Sequence, residues 1–418
     1  MSPTIHWLEN SFGDIHAARL VLPHGSAMDP ADAAGLHQLL AGSLTRGCGA
    51  LKAAAFAERI ETLGGSLRSD TNDDRLVLAL KCVSSDAAQL LPLLLDMIEQ
   101  PHLESEQVRL EQDLNLQSLQ RMQEDPFAVA HEQLRLLLYG TGSYGHDPIG
   151  RREDLAAMHP DVVRQAATAL SCNAAKLVVS GPLNEDLREQ VLKRMSLWQQ
   201  CGGDRPTLTS PPNDRWSGID VDTEQTVLML GFRTLPINAP QALALRLLQV
   251  HLGVGMSSRL FQSLRETHGL VYDVGAELAL RELDSPFIWH LSTSADQAVA
   301  ALDALLREWD QVLQKPLSQS CLELACAKLR GQEALGRQTG AQRAERTALC
   351  LSLGLPMDYH QQAMKMIERI TADEVQAAAR QWLRRPVLSA CGPSSSLKAL
   401  EAHWSQALMD QPSAAVAR

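Results

Sequence analysis

The feature that most restricts the fold of this chain is an internal repeat. Met158-His-Pro-Asp-Val-Val-Arg-Gln-Ala-Ala167 leads into Leu177-Val-Val-Ser-Gly-Pro182. Much later, Ile370-Thr-Ala-Asp-Glu-Val-Gln-Ala-Ala-Ala379 leads into Val387-Leu-Ser-Ala-Cys-Gly-Pro393. Each copy reads as a capped amphipathic helix, a short apolar strand, a Gly-Pro stop and a further helix. A chain of 418 residues is too long for one core. Two copies of an α+β unit, each about two hundred residues long, account for both facts.

The elements between the copies fit that division. Ala17–Leu22 reads as a strand, Asp32–Thr45 and Ala53–Leu63 as helices, and Leu67–Val83 as strands broken at Asp70–Asp74. Helices follow over Asp86–Glu99, Glu104–Gln123 and on to Leu138. In the second half, Thr226–Gly231, Leu270–Leu280 and Phe287–Ser294 read as strands. Gln241–Leu252, Ser257–His268, Ala298–Leu313, Ser318–Gln338, Ala341–Leu353 and Asp358–Ile370 read as helices. Residues 200–218 are rich in Gly, Pro and hydroxyl side chains. The sequence therefore predicts a domain over 1–199, a linker over 200–218 and a second domain over 219–418. The expected fold class is α+β, with two tandem α/β-sandwich domains, each an antiparallel-rich sheet covered by helices.

Charge narrows the function. Lys and Arg number 38 against 49 Asp and Glu, a net charge of −11. That sign argues against a nucleic-acid surface and against a polybasic membrane patch. The longest apolar run, Leu90-Leu-Pro-Leu-Leu-Leu95, is far too short to span a bilayer. The first twenty residues lack the apolar core of a signal peptide. The eight cysteines are scattered with no CxxC pair, as expected of buried thiols in a reducing cytoplasm.

Several short motifs, in this order and spacing, carry a resemblance that covers nearly the whole chain. They are Gly25-Ser-Ala-Met-Asp-Pro30, Gly35-Leu-His-Gln-Leu-Leu-Ala-Gly-Ser-Leu-Thr-Arg-Gly47, Gly64-Gly65, Glu124-Asp-Pro126, Tyr144-Gly-His-Asp-Pro-Ile-Gly150 and Ser258-Arg-Leu-Phe261. The chain resembles the insulinase/pitrilysin family of zinc peptidases, on the processing-peptidase branch. Against the family pattern it is short before Gly25, which predicts an incomplete first hairpin. The resemblance implies a bowl-like half of a closed peptidase chamber.

Active members of that family carry HxxEH on the first helix and a Glu on a later one. Three protein ligands and one open position suit a hydrolytic zinc. Aligned on Gly35-Leu36 and Gly47, this chain puts Gln38 and Gly42 at the two His positions and Ala41 at the Glu. Val108-Arg-Leu-Glu-Gln-Asp113 puts Gln112 at the third ligand, with Glu111 one residue away and turned by about a hundred degrees. His37 is one residue out of phase and reads as a hydrogen-bonded or partly exposed histidine, not a ligand, and so do His131 and His146. No metal is expected in this chain.

A second motif is kept. Arg265 and Tyr272 stand seven residues apart around Gly269-Leu270, where a helix turns into a strand. In the family a matching pair faces the zinc from the second half and contacts the substrate carbonyl. Fixed donors near a developing oxyanion lower a barrier by several kcal/mol. The ordinary alternatives are an Arg265 paired with a carboxylate and a Tyr272 packed in a core. Two lesser substrate-binding candidates are Gly253 and Gly255, in a glycine loop shorter than its counterpart in the family, and Arg75, Leu76 and Val77, a strand expected to dock peptide at a sheet edge.

The expectation is a zinc-less subunit that binds peptide and supplies Arg265 and Tyr272 to an HxxEH-bearing partner holding the zinc. Three other readings stay open. One is a structural relative, like the core subunits of the respiratory cytochrome complex. Another is a peptide-binding homodimer without chemistry, and the last is a metallopeptidase on a noncanonical metal site.

Overall fold

The structure, a computed structural model, describes residues 3–9, 14–170, 172–198 and 206–409. The first half of the sequence forms strands β1 (Thr4–Glu9), β2 (Ile15–Leu22), β3 (Gly47–Cys48), β4 (Leu51–Lys52), β5 (Ser66–Thr71), β6 (Leu76–Val83) and β7 (Lys176–Gly181). Its helices are α1 (Leu36–Ser43), α2 (Ala53–Thr62), α3 (Ala87–Glu99), α4 (Ser105–Gln123), α5 (Pro126–Tyr139), α6 (Arg152–Ala157), α7 (Pro160–Thr168) and α8 (Glu185–Ser196). The second half adds β8 (Trp216–Asp220), β9 (Gln225–Arg233), β10 (Asp273–Leu278), β11 (Pro286–Ser294) and β12 (Val387–Gly392). Its helices are α9 (Ala242–Gly253), α10 (Ala298–Gln314), α11 (Gln319–Leu335), α12 (Gly340–Ser352), α13 (Tyr359–Ile367), α14 (Ala372–Trp382) and α15 (Ser394–Met409).

The two halves repeat in topology as well as in sequence. One sheet runs β1-β7-β2-β6-β5 and the other β8-β12-β9-β11-β10. In each, one outer strand pairs parallel with the strand that ends the repeat, and the other pairings are antiparallel. The duplicated sequence motifs are α7 with β7 and α14 with β12. The fold is α+β with antiparallel-rich sheets, as the sequence predicts. Two outer strands, β1 and β8, have no counterpart in the sequence reading. The chain before Gly25 supplies β1, which pairs with β7 and not with its neighbour β2.

Packing divides the chain into two compact units, each drawn from both halves. The first holds Met1–Gln120, Thr141–Thr207 and Gln332–Gln362; the second holds Arg121–Gly140, Leu208–Gly331 and Ala363–Arg418. Helix α12 thus belongs with the first sheet and α5 with the second. Residues 200–205 of the expected linker lie outside the described residues, and 206–215 run without helix or strand.

Helix exchange explains why the central strands are apolar on both faces. In β2, Ala18, Leu20 and Leu22 point into the main core with Leu39, Leu40 and Leu94. Val21 points the other way, against Ala344 and Ala348 of α12. Alternation of period two puts both sets in one strand. In the second unit α5 crosses β8, β9 and β12. Gly231 makes that crossing possible: a Cβ there would lie 2.8 Å from Leu134 Cδ1. Among the described residues, no helix is long and apolar enough to cross a membrane.

Candidate functional site

In the first unit, α1, the helix on which the family pattern was aligned, is fixed at its N-terminus by one buried carboxylate. Asp29 accepts from Gly35 N at 2.7 Å and His37 N at 3.0 Å, and His37 Nδ1 lies 2.6 Å from it. These are backbone donors that a helix start leaves unpaired. The His37 ring is thereby committed to Asp29. His146 Nε2 stands 3.9 Å from the same carboxylate, and the His24 ring is 5.8 Å from that of His37.

Burial, reinforced by the field of His37, pushes His24 down from its ordinary 6.5 to about 4. A depressed folded value means that neutral His24 contributes stability complete above about pH 6.5 and lost as pH falls toward 4. The shift corresponds to about 3 kcal/mol at most. His24→Asn is expected to flatten the fall of the unfolding midpoint between pH 6.5 and 4. An unchanged slope would exclude this role.

The aligned metal positions do not form a donor set. Gln38 and Gly42 lie on the half-buried face of α1, while Ala41 is 0% exposed, inside the main core. A built Cβ on Gly42 would lie 2.5 Å from Glu111 Oε2. Glu111 therefore faces α1. Gln112, which the alignment puts there, turns away: its Nε2 donates to Leu155 O and, at 3.1 Å, to Met158 O at the end of α6. The expected position is off by one residue, the helical rotation that separates the two side chains. Among the described residues, no group of three His, Cys, Asp or Glu side chains is placed to hold a metal ion.

In the second unit, the expected helix over Ser257–His268 closes as a π-helix, Phe261–Thr267. Wide turns of this kind are rare and concentrate at functional sites. Buried Glu308 of α10 holds it from beneath, accepting from Arg259 Nε at 2.6 Å, Arg259 Nη2 at 2.9 Å and Ser263 Oγ at 2.6 Å. Gly269 ends the turn with φ +61, a conformation that favours glycine. Leu270 O then accepts from Thr293 Oγ1, and Tyr272 N donates to Ser292 O at 2.8 Å.

This frame presents Arg265 and Tyr272 together. The Arg265 Cζ atom lies 5.0 Å from the Phe261 ring centre and 5.6 Å from that of Tyr272. The guanidinium is flanked by two π faces, a contact worth about 0.5–1 kcal/mol at an exposed site. Tyr272 is 74% exposed. Neither ordinary alternative describes the pair: Tyr272 is not packed in a core, and Arg265 makes no ion pair among the described residues. The preceding loop is less informative. Gly253 gives α9 room to pass the backbone of Ala276, and Gly255 is open with φ +75. Lys328 Nζ donates to Val254 O at 2.6 Å and Gln262 Nε2 to Met256 O at 2.7 Å, so the loop is held by its carbonyls.

The expected docking edge is corrected. Leu76 and Val77 belong to β6, which pairs with β2 on one side and β5 on the other, and Arg75 beside them is buried. A strand with both neighbours in place has no backbone groups left for a peptide. The outer strand on that side of the sheet is β5.

Both halves of the chain match known proteins. A family model described as Insulinase (Peptidase family M16) matches residues 6–147, and one described as Peptidase M16 inactive domain matches 161–329. An uncharacterized zinc protease of Streptomyces coelicolor is 25% identical over 363 residues, covering 83% of this chain and 78% of its own. One from Rickettsia bellii is 24% identical over 383 residues, covering 91% and 92%. Among solved structures, a peptidase M16 inactive domain from Pseudomonas fluorescens superposes with a TM-score of 0.85 at 22% identity, covering 93% of this chain and 96% of its own. A protease from Helicobacter pylori gives 0.86 at 14% identity with the same coverage.

Proposed function

The chain belongs to the insulinase (peptidase M16) family, and from that membership we propose that it is the zinc-less subunit of a two-chain cytoplasmic peptidase. The observation that carries the proposal is a contrast within one chain. The second unit presents a braced Arg265–Tyr272 pair to the outside, while the described residues of the first unit include no metal donor set. The metal, and the water that it activates for peptide hydrolysis, belong to an HxxEH-bearing partner of the same family.

Within this reading the chain supplies position and charge. The Arg265 guanidinium and the Tyr272 hydroxyl donate to the carbonyl oxygen of the peptide bond being cut. Both gain most when that oxygen becomes an oxyanion, which is how fixed donors accelerate a reaction. The π-helix and Glu308 hold the pair before substrate arrives, so little reorganisation is needed. Peptide lies along a sheet edge as an added strand. In the first sheet β5 offers that edge, in place of the interior Arg75–Val77.

The test is reconstitution. The purified chain and an HxxEH-bearing family partner from the same genome are assayed for peptide cleavage separately and mixed. We expect activity in the mixture at least tenfold above the partner alone and none from this chain. A mixture no faster than the partner alone would sink the two-chain reading.

A further inference from the structure

We propose that Arg46 is a tethered cation that stands in this chain where its relatives' zinc would be, so that α1 and α4 are clamped by an internal ion pair and folding requires no metal. The inference concerns the first unit alone and does not depend on the role of Arg265.

The starting point is Glu111. It lies on the buried face of α4 with Val108, Asn115 and Leu119. A carboxylate taken out of water must be neutralised or paired. Two kinds of partner would serve here, a bound metal ion or a cationic side chain. The printed description of the relatives as zinc proteases makes the first the natural one to examine.

The surroundings of Glu111 do not fit a metal. Zinc in a protein site takes three or four His, Cys or carboxylate donors. The half-buried positions of α1 are Gln38 and Gly42, an amide and a bare backbone, and Gly42 is the one set against Glu111. On α4 the next buried polar side chain along the same face is Asn115, a neutral amide that adds no charged or imidazole ligand.

They do fit a guanidinium. Arg46 follows α1 directly, and its Nε lies 2.5 Å from Glu111 Oε1, with Nη2 on the same oxygen. The Arg46 side chain remains 30% exposed, whereas that of Glu111 is 11% exposed. The cation therefore reaches in from the rim over the carboxylate. One positive charge answers one negative charge, and its tether is the chain itself. Glu111 Oε2 then rests against Gly42, where any larger side chain would crowd it.

The asymmetry of the pair gives a specific test. Removing a partner from a buried ion pair is strongly destabilising when a charge is left behind in the interior. Removing the buried charge itself leaves only a rim arginine that water can solvate. Arg46→Met is therefore expected to raise the unfolding equilibrium constant about 100-fold or more. Glu111→Gln should raise it less than tenfold. The double variant Arg46→Met with Glu111→Met should recover at least tenfold relative to Arg46→Met alone. Arg46→Lys, which keeps the charge without the planar fork, should fall between wild type and Arg46→Met. If Arg46→Met does not fold, a folded double variant is the expected result.

Denaturant unfolding of these variants is read beside zinc content and the effect of EDTA on wild type. Wild type should hold well under one zinc per chain after dialysis against micromolar zinc, and EDTA should leave its midpoint in place. Stoichiometric zinc lost in Glu111→Gln would overturn the proposal. So would an Arg46→Met variant as stable as wild type, or a double variant no more stable than Arg46→Met.

Discussion

Replacing Arg265 with alanine is expected to lower kcat of the reconstituted peptidase about 100-fold while leaving the thermal midpoint of this chain within a degree or two. The size follows from the class of interaction: loss of one oxyanion donor in other hydrolases costs about 10²–10³ in kcat. Stability should hold because the side chain is exposed and makes no ion pair among the described residues. Its flanking contacts with Phe261 and Tyr272 are worth about 1 kcal/mol at most. A donor used chiefly in the transition state lowers kcat and kcat/KM together and leaves KM little changed. Tyr272→Phe removes a single hydroxyl from a ring that keeps its place beside Arg265, so a loss of roughly tenfold is expected. Arg265→Lys should recover part of the rate, since it keeps the charge but not the planar fork. Steady-state kinetics on a peptide substrate, with this chain saturating, measures all three. A fully active Arg265→Ala assembly would instead favour the purely structural reading.

The pair and its neighbourhood show what sequence can and cannot convey. Arg265, Gly269 and Tyr272 were legible because they sit in one short stretch with local chemistry: a helix end, a glycine and a strand start. That the helix closes as a π turn was not legible. The turn is braced by Glu308, 45 residues beyond Ser263 and 49 beyond Arg259, and no local pattern reports those bonds. The two halves were legible because α7 with β7 and α14 with β12 repeat the same residue pattern. The exchange of α5 and α12 between units was not, because an amphipathic helix does not encode which sheet it covers. The misplaced docking edge has a similar origin. Alternation along Leu76–Val83 reports a strand, but whether a strand is outermost depends on the order of all its neighbours. Glu111 and Gln112 differ only in helical phase. Arg46, one turn beyond Gly42 and close to the end of α1, was the available hint that a carboxylate would face that side.

Restoring the family motif in full, by Gln38→His, Ala41→Glu and Gly42→His together, is expected to destabilise the chain by at least about 3 kcal/mol and to yield no zinc site. Ala41 decides this. It is 0% exposed and belongs to the main core with Leu36, Leu39, Leu40 and Leu44. A glutamate there adds volume to a packed interior, at about 1–3 kcal/mol. It also carries a carboxylate away from water, which costs several kcal/mol more or forces it to take a proton. Neither form would be a poised general base. Gly42→His then meets Glu111 Oε2, so the carboxylate must swing and the Arg46 pair must open before any metal can compete. Gln38→His alone lies on the half-buried face and should change stability by about 0.5 kcal/mol or less. Thermal unfolding with zinc content per chain separates these cases: a fall of roughly 10 °C without zinc for the triple variant, and near-wild-type behaviour for Gln38→His. One zinc per chain at unchanged stability would mean that only the ligands had been lost. The buried Ala41 and the Arg46–Glu111 pair argue against that outcome: a glutamate at 41 has no space to enter, and the ion pair already occupies the side of α1 that a metal would need.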